Sequence, residues 1–149
     1  MSRFWKRVLI GWLLVMGLWA STAQMFDKAV GKEGLCKVGY VYDGDTVALR
    51  CGDKEQTARL VGFDTPETKK PKCEAERALG EKAKLRLREL LANGAASYRS
   101  QGHDKYGREL IVLKVDGRDV AETLVNEGLA VDYTGGGRIS WCAKLGAGE

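Results

Sequence analysis

The chain has 149 residues with 24 basic residues, 20 acidic residues and one histidine, and its formal net charge is +4. This length is enough for one domain with a modest core, and the sequence shows no internal repeat and no domain boundary. Such a small charge does not identify a nucleic-acid-binding protein, so any affinity for phosphate must come from where the basic residues are placed.

Residues 1–23 have the three-part pattern of a secretory signal peptide. Three basic residues precede an apolar run over residues 8–20, and Ser21-Thr22-Ala23 follows it. The run is short for a membrane span, which needs roughly 20 residues, although an uncleaved anchor is the alternative. Cleavage would remove three basic residues and no acidic ones, leave a net charge of +1, and release a protein without a membrane partner. The pattern predicts export to a periplasm or to the extracellular space.

The cysteines all follow this leader, and no pair has the close spacing of a zinc site. They are Cys36, Cys51, Cys73 and Cys142. An even number in an exported chain predicts two disulfides, for which three connectivities exist, and free buried thiols are the alternative.

A β-hairpin favours one of these connectivities. Residues 24–34 lack periodicity and are predicted to form a flexible arm, and the folded domain is predicted to cover residues 35–149. Residues 35–41 and 45–50 flank Asp43-Gly44, a strong hairpin signal, and a two-residue turn there pairs positions that sum to 87. Cys36 then lies opposite Cys51, within reach of a disulfide, and Cys73 is left to pair with Cys142.

The third strand is predicted over residues 55–63 and completes an antiparallel meander. It runs into an acidic turn, Asp64-Thr65-Pro66-Glu67, in which Pro66 holds Thr65 extended and fixes the geometry of both carboxylates. The same four residues also fit the start of a helix, with Pro66 at its first position.

The two hairpins predict that Asp45 lies nearly opposite Asp64, if the second hairpin has a four-residue loop. Two facing carboxylates repel, so the pattern predicts a positive group between them. Oxygen atoms from Asp45, Asp64 and the Thr65 carbonyl suit a hard ion such as Ca²⁺, whereas solvated strand ends are the alternative. Strict alternation would send Arg59 and Asp64 to opposite faces, so a shared site requires a bend, predicted at Gly62.

The rest of the chain predicts one long helix, two more strands and one short helix. The long helix covers residues 73–92 and ends at Asn93-Gly94, a left-handed stop signal. The strands cover residues 95–101 and 109–115, and the short helix covers residues 120–126. Five short strands, with a helix between the third and the fourth, predict an α+β fold built on a small closed barrel of the oligonucleotide-binding (OB) type.

A basic turn over residues 104–108 carries a second arginine, Arg108. A guanidinium matches two phosphate oxygens, so Arg59 and Arg108 together could hold a phosphodiester while negative charge develops on it. Lys105 and Tyr106 could contact a neighbouring phosphate or sugar. A basic turn at the rim of the barrel, with a purely structural role, is the alternative.

These motifs together resemble the thermonuclease, or staphylococcal nuclease-like, family. The matching segments are Asp43-Gly44-Asp45-Thr46, Arg59-Leu60, Asp64-Thr65-Pro66-Glu67-Thr68 and Asp104-Lys105-Tyr106-Gly107-Arg108, in the family's order and approximate spacing. The resemblance implies a five-stranded Greek-key OB-fold barrel with helices, and Ca²⁺-dependent hydrolysis of DNA and RNA. It implies metal ligands at Asp45, Asp64 and the Thr65 carbonyl, and catalytic roles for Arg59, Glu67 and Arg108.

Two departures from the family pattern concern the C-terminus and the base-binding aromatics. The family has a third, C-terminal helix, whereas here only residues 138–149 follow three glycines, and we expect the Cys73–Cys142 disulfide to hold this shortened end. Tyr133 is the one obvious aromatic residue for stacking on a base. The sequence therefore predicts a secreted, monomeric nuclease with Glu67 as the general base or the residue that orients water. A non-catalytic nucleic-acid-binding barrel is the alternative.

Overall fold

The computed structural model describes residues 36–147. The predicted signal peptide, residues 1–23, and the predicted arm, residues 24–34, lie outside the described residues. Within residues 36–147 no helix is long and apolar enough to cross a membrane.

The described chain combines strands and helices in an α+β arrangement, as predicted. The strands are β1 (Lys37–Asp43), β2 (Thr46–Cys51), β3 (Lys54–Leu60), β4 (Gly62–Asp64), β5 (Ala96–His103), β6 (Glu109–Val115), β7 (Arg118–Asp119) and β8 (Val131–Tyr133). The helices are α1 (Glu74–Asn93), α2 (Val120–Asn126) and α3 (Trp141–Lys144), of which α3 was not predicted.

The main sheet has the strand order β1-β2-β3-β6-β5, and β7 pairs with β6. Strands β1, β2 and β3 form the predicted meander, β3 pairs with β6 in parallel, and β5 pairs with β6 in antiparallel orientation. This order agrees with the predicted Greek-key OB fold. The predicted closed barrel is not found, because β1 and β5 are the two ends of the sheet in the described residues. Strand β5 is polar and exposed apart from Tyr98, so it presents little apolar surface for closure.

The first hairpin contains the predicted cysteine pair, although its register differs from the prediction. Its turn is displaced by one residue, because Asp43 pairs with Thr46. Two register shifts in β1 offset this displacement, so that Lys37 lies opposite Arg50, as the predicted register requires. The structure contains the predicted Cys36–Cys51 disulfide, with a Cα–Cα distance of 4.2 Å.

The second hairpin is tighter than predicted. Cys51 pairs with Lys54 and Thr46 pairs with Arg59, so the turn has two residues and not four. Gly52 has a φ of 65°, the left-handed conformation that such a short turn requires. The predicted pairing of Asp45 with Asp64 was therefore wrong, and the Asp45 carbonyl instead accepts the backbone N–H of Leu60 at 2.8 Å.

Helix α1 packs against the acidic turn through a glycine. A Cβ atom at Gly80 would lie 2.7 Å from the Pro66 carbonyl oxygen, so only glycine lets the helix approach the turn this closely. At the other end, the predicted left-handed stop was wrong. Gly94 is extended, with a φ of −136°, and a Cβ there would lie 2.3 Å from a methyl group of Val115. Glycine is thus required at position 94 because the backbone lies close to Val115, and not because the position needs a left-handed conformation.

The C-terminal segment folds back onto the start of α1. The Cys73–Cys142 disulfide joins the two elements across 69 residues, as predicted, with a Cα–Cα distance of 6.0 Å. Trp141 and Cys142 are buried beside it. Residues 138–147 are therefore part of the folded domain.

Replacing Gly80 by alanine should destabilise the protein by about 1–3 kcal/mol, because the added methyl group overlaps the backbone of the acidic turn. At a solvent-exposed position within a helix, replacing glycine by alanine would stabilise the protein by about 1 kcal/mol. Urea unfolding followed by circular dichroism measures the difference, with Glu81→Ala, on the exposed side of the same turn of helix, as the control. A Gly80→Ala protein as stable as the wild type would show that the turn does not depend on this contact.

Candidate functional site

A sharp bend brings Arg59 and Asp64 together although they are five residues apart. Strand β3 ends at Leu60, Gly62 has a φ of 97°, and β4 pairs with β8. Arg59 Nη2 consequently lies 3.3 Å from Asp64 Oδ1. The bend predicted at Gly62 is confirmed.

Arg59 lies between the two buried carboxylates. Its Nη1 forms an ion pair with Asp45 Oδ1, while its Nη2 contacts Asp64. Asp45 is 2% exposed and Asp64 is 1% exposed. A buried carboxylate is destabilising unless it is paired and hydrogen-bonded, so Arg59 compensates both of them. The structure thus brings Asp45 and Asp64 to one place, with a guanidinium as the positive group between them.

Asp45 is also bound to the acidic turn. Its Oδ2 accepts the backbone N–H of Thr65 at 3.2 Å and the Thr65 hydroxyl at 3.0 Å, and its Oδ1 accepts the Thr46 hydroxyl at 3.0 Å. Burial raises the pKa of Asp45 to about 7, although Arg59 acts in the opposite direction. Additional positive charge near this carboxyl group would therefore favour its charged form.

Two residues of the C-terminal segment complete the surroundings of Asp64. Trp141 donates its Nε1–H to Asp64 Oδ2 at 3.0 Å, and Arg138 Nε lies 2.7 Å from Asp64 Oδ1. Arg138 Nη1 also lies 2.6 Å from Glu67 Oε1, and its Nη2 donates to the Thr65 carbonyl at 3.2 Å. Burial opposes the charge of Arg138, but the surrounding carboxylates raise the pKa of its guanidinium above the ordinary value.

Sequence reasoning missed both Arg138 and Trp141. Arg138 directly follows Gly135-Gly136-Gly137, which reads as linker, and Trp141 lies next to Cys142. The predicted Cys73–Cys142 disulfide was the available signal, because it required this segment to fold against the start of α1. It did not indicate that the segment reaches Asp64.

A cavity of about 1180 Å³ lies over this cluster. Arg59, Glu67 and Arg108, the three residues predicted to be catalytic, all line it. Of the residues predicted to bind substrate, Tyr106 and Tyr133 line it, whereas Lys105 does not and has its Nζ 5.0 Å from the Tyr106 ring. Asp45, Asp64 and Thr65 are buried, and Arg59 connects the two carboxylates to the cavity.

Asp104 organises the turn that carries Arg108. Its Oδ1 accepts the backbone N–H groups of Tyr106 at 2.9 Å and Arg108 at 3.0 Å, and its Oδ2 accepts Arg108 Nε at 2.8 Å. Desolvation works in the opposite direction, but the hydrogen bonds from Arg108 and Tyr106 lower the pKa of Asp104. The ion pair fixes one edge of the Arg108 fork, and neither Nη group has a hydrogen-bond partner within the described residues.

The loop between the acidic turn and α1 is held by a buried glutamate. Glu76 accepts the backbone N–H groups of Lys72 at 2.7 Å and Glu67 at 3.4 Å. Glu76 also lies close to Cys73 and Cys142 in the geometry of a metal-ligand cluster. Both sulfur atoms belong to the disulfide, so this cluster does not offer thiolate ligands.

The oxygen atoms around Arg59 suit a hard cation. Two buried carboxylates and the Thr65 carbonyl are the donor types that Ca²⁺ and Mg²⁺ bind in proteins. Two of the three donors, Asp64 and the Thr65 carbonyl, are also bound by Arg138. The donor set therefore fits a divalent cation chemically, and Arg138 shares that set.

Residues 57–139 match the family model described as staphylococcal nuclease homologue, which is more than half of the chain. The chain belongs to this family.

Several curated relatives are named as nucleases. The chain is 43% identical over 91 residues to Endonuclease YncB of Bacillus subtilis, a match that covers 59% of this chain and 43% of that protein. It is 42% identical over 91 residues to the SPbeta prophage-derived endonuclease YokF of the same organism, covering 59% of this chain and 30% of that protein. It is 31% identical over 129 residues to Thermonuclease of Staphylococcus hyicus, covering 83% of this chain and 76% of that protein. The chain thus spans less than half the length of the two Bacillus relatives.

Replacing Trp141 by phenylalanine should destabilise the protein by about 2 kcal/mol or more, because the buried Asp64 carboxylate loses a hydrogen-bond donor and the smaller ring leaves a void. Urea unfolding measures this change. Tyr133→Phe is the control, since it also removes one hydrogen bond, from the Tyr133 hydroxyl to the Gly136 carbonyl, but at an exposed position. Equal losses in the two variants would contradict a special role for the Trp141–Asp64 contact.

Proposed function

We propose that this protein is a nuclease that hydrolyses phosphodiester bonds of DNA and RNA with the help of Ca²⁺. The observation that carries the proposal is that Arg59, Glu67 and Arg108 line one cavity, directly beside the buried pair Asp45 and Asp64. Membership of the staphylococcal nuclease homologue family and the names of the relatives support it.

Arg108 and Arg59 would stabilise the transition state. Attack on phosphorus adds negative charge to the phosphate oxygens, and a guanidinium fork binds two such oxygens at once. Asp104 holds Nε of Arg108, so that the two Nη groups can bind phosphate without losing much side-chain entropy. Arg59 is 15% exposed and both of its Nη groups are bound to carboxylates, so it would act on the phosphate mainly through its positive charge, from a place that is set before substrate binds.

Glu67 would act on the attacking water. Its carboxylate lies at the edge of the cavity, and the buried Glu76 side chain holds its backbone N–H. A carboxylate near the phosphate can accept a proton from water or orient it for attack along the line of the bond that breaks. Either role requires that Glu67 be charged and correctly placed.

A cation at this site would be held by Asp45, Asp64 and the Thr65 carbonyl. It would supply positive charge that orients the phosphate and offsets the charge developing on it. Thr65 binds Asp45, Trp141 binds Asp64, and Arg59 binds both, so the two carboxylates are held in place before a cation would arrive.

Tyr106, Lys105 and Tyr133 would contact the substrate away from the reacting phosphate. Tyr106 is 73% exposed at the rim of the cavity, with cationic groups of Lys105 and Arg108 near its ring. Aromatic rings with neighbouring cations suit the stacking and phosphate contacts that bind single strands. Tyr133 lines the same cavity, and its hydroxyl donates to the Gly136 carbonyl at 2.7 Å.

The two disulfides support export, because such bonds persist in oxidising compartments. We therefore propose a periplasmic or extracellular enzyme that loses residues 1–23 and acts as a monomer. Detection of Gln24 as the N-terminal residue of the exported protein would establish the cleavage.

The proposed activity is tested by digestion of single-stranded DNA and RNA with Ca²⁺, with chelator, and with the Glu67→Gln and Arg108→Ala proteins. Removing the base or the phosphate-binding fork should each lower kcat by about 100-fold or more, and chelator should abolish cleavage. Arg77→Ala, an exposed arginine of α1, is the matched control and should cleave normally. Cleavage unaffected by all three treatments would refute the mechanism, and binding without cleavage would favour the non-catalytic alternative.

Asp104→Asn should lower kcat by about tenfold, because the amide can still accept the backbone N–H groups of the turn but no longer forms an ion pair with Arg108. KM should change less than kcat if Arg108 acts mainly in the transition state. The decisive comparison is made in the Arg108→Ala background, where the same substitution should have no further effect. A full additional loss there would show that Asp104 does not act through Arg108.

A further inference from the structure

Besides Arg59, a second guanidinium, that of Arg138, contacts the proposed metal ligands. All three nitrogens of Arg138 are in use, by Asp64 Oδ1 at 2.7 Å, Glu67 Oε1 at 2.6 Å and the Thr65 carbonyl at 3.2 Å. Asp64 and Thr65 are two of the three groups proposed to bind the cation, and Glu67 is the proposed base.

We propose that Arg138 is a built-in competitor of the divalent cation, which lowers the cation affinity of the site and releases Glu67 when it withdraws. This inference rests on the proposed function, because it concerns the same acidic groups. It assigns to the C-terminal segment a role in setting how much cation the enzyme needs.

Competition follows from the shared oxygens. A carboxylate oxygen that accepts a short, charge-assisted hydrogen bond from a guanidinium is a poorer ligand for a second positive group. Two positive charges on one buried carboxylate also repel, and the repulsion is screened weakly away from water. Asp64 is 1% exposed, so water cannot substitute for either partner at low energetic cost.

Of the two guanidinium groups on Asp64, Arg138 is the one that can exchange. Arg59 belongs to β3, is 15% exposed and also holds Asp45. Arg138 is 41% exposed and follows Gly135 and Gly136, whose φ angles of 111° and 96° lie in a region that glycine adopts freely. Glycine restricts the backbone least of all residues, so the Gly135-Gly136-Gly137 run leaves more conformations open on the N-terminal side of Arg138 than other residues would.

The C-terminal side of the segment is anchored. Trp141 is bound to Asp64, and Cys142 is joined to Cys73, so that Arg138 stays within reach of the site after it withdraws. A side chain held nearby in this way acts at a high effective concentration. The same withdrawal frees Glu67 Oε1, which couples cation binding to the availability of the proposed base.

A purely structural role for Arg138 gives the opposite expectation. If Arg138 served only to position Asp64 and the Thr65 carbonyl, its removal would loosen the ligands and weaken cation binding. The two roles therefore differ in the sign of the change in affinity, which can be measured without any assay of cleavage.

The test is calorimetric titration of the full-length protein with Ca²⁺, comparing the wild type with Arg138→Gln. The variant should bind Ca²⁺ about tenfold more tightly, because one competing positive charge is removed. Arg138→Lys, which keeps the charge but not the fork, should lie between the two. Arg50→Gln removes the same charge from an exposed pair with Glu55 and should change the affinity less than twofold.

Thermal unfolding provides a second readout. Without Ca²⁺ the Arg138→Gln protein should unfold at a lower temperature, because Asp64 has lost a partner, and added Ca²⁺ should raise its Tm more than that of the wild type. Unchanged or weaker Ca²⁺ binding by a folded Arg138→Gln protein would overturn this inference alone, provided that the wild type binds Ca²⁺ and cleaves nucleic acid. A wild type that neither binds Ca²⁺ nor cleaves would overturn the proposed function as well.

Discussion

The structure of this site depends on the bridge that Arg59 makes between two buried carboxylates. Asp45 and Asp64 could not be almost fully buried side by side without a positive group between them, because an unpaired buried charge is strongly destabilising. Each carboxylate then recruits a separate part of the chain, the acidic turn through Thr65 and the C-terminal segment through Trp141. The meander, the bend at Gly62 and the short helix α3 are thus held by the same interactions that form the candidate active site.

The burial of these charges, which the proposed function requires, is unfavourable for stability. Burial raises the pKa of Asp45 to about 7, which shows that the protein environment disfavours its charged form even with Arg59 beside it. Replacing such a buried ion cluster by apolar side chains of similar volume is often neutral or stabilising. The cluster holds parts of the fold together and also lies beside a cavity, to which Arg59 connects it, as expected of a site that binds further charged groups.

The sequence predicted the elements better than their registers. The hairpin around Gly44 and the disulfide Cys36–Cys51 followed from local turn chemistry. The one-residue displacement of the turn and the two register shifts of β1 were not predicted, and their effects on the register cancel at the cysteines. The pairing of Asp45 with Asp64 was predicted from a wrong loop length, and the two residues meet because of the bend at Gly62 and the Arg59 side chain. Bulges leave weak local signals, since several residue types tolerate them, and a turn that is misplaced by one residue shifts every later pair.

Arg138 and Trp141 show a different limit of sequence reasoning. Their partners lie 73 and 77 residues away, and neither residue belongs to a pattern that indicates chemistry, because a glycine run reads as linker. The Cys73–Cys142 disulfide reduces the entropy cost of bringing these distant segments together. Its contribution is consequently not confined to overall stability. By holding α3 beside the start of α1, it keeps Trp141 on Asp64 and Arg138 within reach of Glu67, and so helps to define the electrostatics of the site itself.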